Sequence, residues 1–172
     1  MVDFLATICR VGTLILVLGI IFPTSRAMAL TSRDASAVVG LIAALQPEYG
    51  QFAYDKEIAT DWYERDAADK GLIAAAGFTA ESWEVALGET VRGFLATIPI
   101  AELDPIFGRM KKAISDMEEL SDTQKGETIS AIDEQIDGLM ILRAEGRPFV
   151  DIVRPLTPRI RGLILDPTIR QQ

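Results

Sequence analysis

The chain has 172 residues, a formal net charge of −8, a single cysteine and no histidine. Without imidazole, the Ser-His-Asp relay, the near-neutral histidine base and the usual zinc and iron sites fall away together. Carboxylate, lysine and tyrosine remain for acid–base work and hard oxygen sites for calcium or magnesium, so composition weighs against an enzyme and no cofactor is expected.

The first element in chain order is apolar. It reads VGTLILVLGIIF from Val11 to Phe22, with Arg10 before it and Pro23 after it. Its length matches the roughly 7–15 residues of a signal-peptide core and falls short of the ~20 that span a bilayer. Ala27-Met28-Ala29 places small side chains where a signal peptidase reads. Residues 1–29 are therefore expected to be a signal peptide, cut after Ala29, and the protein to be periplasmic or secreted. The alternative keeps residues 1–22 as a membrane tether, with Arg10 snorkelling to the interface. Cys9 lies inside this leader, so a chain starting at Leu30 holds no disulfide and no thiolate ligand. Residues 30–172 have the length of one ordinary domain, which buries enough surface to stand without staples.

Helical spacing dominates from there on, with no convincing two-residue alternation. Thr31 and Asp34 have the spacing of a capping box, followed by Val38, Leu41, Ile42 and Leu45 on one side, and Pro47 is expected to end that helix. A second helix is expected from near Glu48 towards Ala76, broken near Gly71, with Tyr54, Ile58 and Trp62 on its inner face and Gly77 as its stop. Thr79 caps a third, striped by Trp83, Leu87, Val91, Phe94 and Ile98 up to Pro99. Asp104-Pro105 reads as the next helix start, with Ile106, Met110, Ala113, Met117 and Leu120 as its buried line. Ser121 caps another, carrying Ile129, Ile132, Ile136 and Leu139 and closed by Gly146 and Pro148. Pro155 and Thr157-Pro158 divide the last apolar stretch into two short pieces. Short connections favour antiparallel neighbours. The fold class is all-α, a single-domain antiparallel helix bundle of about five to six helices after the leader.

Charge is uneven. Glu48 to Asp137 holds 20 acidic and 8 basic residues, whereas Gly138 to Gln172 holds 6 arginines and 3 acids. The acidic body repels nucleic acid, so no nucleic-acid partner is expected. Glu57, Asp61 and Glu64 share one helix face, where the amphipathic pattern turns them to solvent; an acidic face for calcium or a basic partner is the alternative. Arg143, Arg147, Arg154, Arg159 and Arg161 form the opposite candidate, a contact for a partner or anion through their planar forks. Pairing of this arginine tail with the acidic body is the competing expectation.

Three resemblances bear on function. Leu120 to Gln124, LSDTQ, resembles the L-T-x-x-Q motif of a family of small periplasmic helical chaperones, with serine in the threonine position; the same spacing is that of a capping box. Glu81-Ser82 and the DGLM at Asp137 to Met140 resemble fragments of bacterial lytic transglycosylases, which implies Glu81 as the acid of a cell-wall glycan enzyme. A first-turn acid favoured by the helix dipole explains Glu81 equally. The order GFTAESWEVALGETVRGFL, LSDTQKGE and FVDIVRPLTPRIRGLI is similar to small exported bacterial helical proteins of unknown function, which implies a fold and a compartment and no site residue. The expectation is an exported, non-enzymatic bundle that binds a protein partner or client in the cell envelope. The alternatives are a carboxylate-dependent glycan hydrolase or lyase, and a membrane-tethered accessory subunit. No catalytic residue and no metal ligand is assigned.

Overall fold

A computed structural model describes residues 30–50 and 56–165; the expected signal peptide of residues 1–29, its alternative as a tether through residues 1–22, and Tyr54 lie outside the described residues. Helix α1 (Ser32–Tyr49) starts at the Thr31 capping box: the Thr31 hydroxyl accepts the Asp34 N–H at 3.1 Å, and the Asp34 carboxylate accepts back from the Thr31 N–H at 3.3 Å. Val38, Leu41, Ile42 and Leu45 are all buried. Pro47 does not end the helix, which runs on to Tyr49 and stops at Gly50, with φ of 97°. The last turn survives the lost backbone donor because tertiary packing holds it: Tyr49 meets Trp62 edge-on, with ring centroids 5.9 Å apart.

Helix α2 (Lys56–Ala68) buries Ala59 and Trp62. Gly71, at φ 64°, breaks the path as expected, and the one-turn helix α3 (Leu72–Ala75) follows. Gly71 brings no side chain to cap α3. Asp66, 1 % exposed, does so from a distance: its carboxylate accepts the Leu72 and Ile73 N–H groups at 3.0 and 2.7 Å. Two charge-assisted bonds satisfy orphan helix donors and the buried acid together.

Helix α4 (Ala80–Thr97) is the centre of the molecule, packing against α1, α2, α6, α7 and α8. Thr79 caps it, accepting the Ser82 N–H at 3.2 Å. Trp83, Leu87 and Phe94 are buried along the expected stripe, and the Trp83 indole donates to the Ala59 carbonyl at 3.0 Å. Helix α5 (Ile100–Ser115) then begins four residues before Asp104, with Pro99 in the capping position and Pro105 inside the helix. The physical reason is Pro99, which holds Ile98 extended at ψ 124° and lets the chain re-enter a helix at once. Pro105 forfeits one backbone bond near the start, where few have formed.

Helix α6 (Asp122–Gly146) is capped by the reciprocal Ser121–Gln124 box. It runs antiparallel to α4, because Arg143 donates to the Leu95 carbonyl while Arg92 faces Glu145 and Gly146. At this crossing the backbones nearly touch. A Cβ on Gly146 would lie 1.9 Å from the Arg92 carbonyl oxygen, and one on Gly93 would lie 2.8 Å from Val153 and 2.9 Å from Phe149. A 3₁₀ turn (Arg147–Phe149), the single turn α7 (Val150–Val153), a second 3₁₀ turn (Arg154–Leu156) and α8 (Thr157–Leu165) fold back over α4 and α1. Val153 and Ile160 are buried there. The described residues form an all-α helical bundle without a strand.

Gly146→Ala is expected to cost stability at the upper end of the roughly 1–3 kcal/mol typical of overpacking, since the clash is with backbone rather than a flexible tip. Gly138→Ala, in the same helix with open space around its Cβ, is expected to be neutral or to stabilise by up to ~1 kcal/mol. Urea denaturation of the two variants checks the contrast.

Candidate functional site

The expected buried line of α5 is not buried. Ile106, Met110 and Met117 are 42 %, 45 % and 42 % exposed, Ala113 is exposed as well, and no residue of α5 is buried. The cause is topology. Arg143 of α6 meets Leu95 of α4, and Asp133, earlier on α6, pairs with Lys111 of α5, so the chain from α4 into α5 runs opposite to α6 and α5 is carried past the end of α4. Its packing partner is α6, and a 2.8 Å ion pair from Arg161 to Glu102 ties its first turn to α8. The half-buried Leu103, Phe107 and Ile114 alternate with the exposed line, so the apolar surface of α5 is wider than one neighbouring helix can cover. In α6, Ile129, Ile132, Ile136 and Leu139 are likewise only half-buried. The result is a two-helix arm presenting a line of isoleucine and methionine. Flexible, polarisable methionine suits surfaces that accommodate apolar side chains of a partner.

The five candidate arginines do not converge. Arg143 is half-buried and occupied by the Leu95 carbonyl. Arg147 and Arg159 are exposed. Only Arg154 and Arg161 come together, lining a shallow hollow of about 400 Å³ with Thr97 and Thr157. Each is paired within the chain, Arg154 with Asp151 at 3.4 Å and Arg161 with Glu102 at 2.8 Å. Glu57, Asp61 and Glu64 are all exposed on α2, and Asp61 pairs with Arg65 at 3.4 Å. Among the described residues no cluster of three or more acidic, cysteine or histidine side chains has the geometry of a metal site. Glu81 is exposed in the first turn of α4.

Two polar groups stand out that sequence reasoning passed over. Gln46, 2 % exposed, lies on the apolar face of α1 one turn beyond Ile42; a polar residue interrupting that stripe was the available signal. Glu89, on α4, accepts the backbone N–H of the buried Leu30 at 3.0 Å. Burial raises the Glu89 carboxyl above its ordinary range, against the lowering influence of the Leu30 N–H and of Arg92. Nothing in the sequence connects residues 30 and 89.

Comparison of the chain with protein-family models, with curated proteins and with solved structures gave no match.

Arg143→Ala is expected to destabilise the fold by about 1–2 kcal/mol, because it strips a charge-assisted bond from a part-buried carbonyl. Arg147→Ala is expected to fall within ~0.5 kcal/mol of the parent. Thermal or urea unfolding of both distinguishes a structural arginine from a merely solvated one.

Proposed function

We propose that this is an exported, non-enzymatic helical bundle that engages a protein partner or an unfolded client in the cell envelope, with the apolar line of α5 as its docking face. The observation that carries this reading is the exposure of Ile106 and Met110 along α5, whose own packing partner leaves them uncovered, continued by the exposed Met117 two residues beyond the helix end. Burial of partner side chains on such a line supplies affinity, read at helical spacing. The surrounding acidic surface disfavours acidic partners and speeds encounter with basic ones. The enzymatic alternative has less support: Glu81 lies on an exposed helix start rather than in a cleft, and a lone carboxylate is not a mechanism.

The test uses a photo-cross-linker at Met110 in the envelope, together with client-aggregation assays on purified protein. Ile106→Lys combined with Met110→Lys is expected to abolish both capture and suppression of aggregation. Its unfolding free energy should stay within about 1 kcal/mol of the parent, as for two exposed sites. Unchanged capture in the double variant overturns the docking face.

The proposed cut after Ala29 adds a second expectation. In the uncut chain Leu30 offers an amide, and the raised Glu89 carboxyl makes the ionised form a burden on the fold. Stability linked to a raised carboxyl is present at acid pH and declines as pH rises through its folded-state value. Glu89→Gln in a chain retaining residues 1–29 is therefore expected to be neutral or stabilising at pH 7. In a chain that begins at Leu30, an ammonium replaces the amide 3.0 Å from the carboxylate, and the same substitution is expected to destabilise. Denaturation of both forms reads the sign, and intact mass of the native protein reports which form exists.

A further inference from the structure

Between α1, α4, α6 and α8 lies a cleft of about 230 Å³, walled by Ile42, Phe94, Leu95, Ile160 and Leu163, with Gln46 among these apolar side chains. The Gln46 amide is fixed in orientation by chemistry: its Nε2 donates to the Leu163 carbonyl at 3.1 Å, and a carbonyl can only accept, so the oxygen cannot be exchanged into that position. Its Oε1 is buried and has no hydrogen-bond partner among the described residues. An unpaired acceptor in an apolar wall is costly, and cores that contain one ordinarily supply it with a donor.

We propose that this cleft is a binding site for a small, neutral, largely apolar molecule carrying one hydroxyl-type donor, an alcohol or a phenol, whose O–H donates to Gln46 Oε1 once its entry displaces the side chains that cover this oxygen. Three features select that chemistry. The wall calls for an apolar body. The orphan oxygen calls for a donor and repels a carboxylate, which would set acceptor against acceptor. Arg92, which also lines the cleft, disfavours a cationic ligand. Size follows from volume: an apolar cavity of ~150 Å³ takes up benzene, so this cleft suits about nine non-hydrogen atoms on the same scale. The site is separate from the α5 docking face and stands whether or not that face binds a protein.

The experiment compares 4-ethylphenol with 4-ethyltoluene, molecules of matched shape that differ in the hydroxyl, by NMR titration of the purified full-length protein. The phenol is expected to shift the Gln46 side-chain amide and the Ile42, Ile160 and Leu163 methyl signals, and to bind at least about tenfold more tightly than the hydrocarbon. Gln46→Leu is expected to erase that preference. Leu142→Trp, which places bulk in the wall from α6, is expected to weaken both probes while leaving the Gln46 amide bonded to Leu163. Equal affinity of the two probes for the parent protein overturns the assignment, as do shifts confined to the α5 face or the absence of saturable binding. The parent comparison decides the matter even where a variant fails to fold.

Discussion

The architecture depends on the close approach of two backbones where α4 crosses the end of α6. Gly93 and Gly146 carry no side chains, and the space that a methyl group would need is occupied by the Arg92 carbonyl on one side and by Val153 and Phe149 on the other. This contact fixes how far α6 extends beyond α4. It also brings Arg143 to the Leu95 carbonyl, and turns the chain at Arg147–Phe149 so that α7 and α8 cover the central helix. Separation of the two axes by even one methyl would loosen all of these at once, since packed interiors absorb little strain.

The same crossing accounts for the exposed arm. α5 follows α4 after a two-residue turn at Ile98 and Pro99 and keeps its direction along α6. The bundle core lies around α4, so a helix carried past it has one neighbour rather than several. Amphipathic pattern picked the line of Ile106, Met110 and Ala113, whereas the half-buried side of α5 is that of Leu103, Phe107 and Ile114, and pattern cannot report whether anything lies opposite. Local pattern encodes a preference for burial, whereas topology decides whether burial occurs.

Much of the fold was legible for that reason, and some of it was not. The capping boxes at Thr31 and Ser121, the cap at Thr79, the break at Gly71 and the division of the carboxyl-terminal stretch are set by residues within a few positions of each other. Pro47 and Asp104-Pro105 misled because both signals are weak against packing: Tyr49 on Trp62 extends α1, and Pro99 starts α5 early. The long-range groups left little trace in the sequence. Asp66 capping α3 from the previous helix, Glu89 holding the Leu30 amide and Gln46 reaching Leu163 join residues that only the finished fold makes neighbours. Of the candidate surfaces, the arginine tail proved dispersed, with three different fates for its five members, while the acidic trio stayed on one solvated helix face.

The two-helix arm has a consequence for how the molecule moves. Its helices join residues close in sequence, lack a buried side chain on α5, and meet the remainder through the far end of α6 and one surface ion pair from Arg161. Segments with few buried contacts open with small free energies while the centre stays shut. The arm can therefore splay or unwind as a unit without melting the α4 core, enlarging the greasy surface it shows. A segment held this lightly can change its reach at little energetic cost.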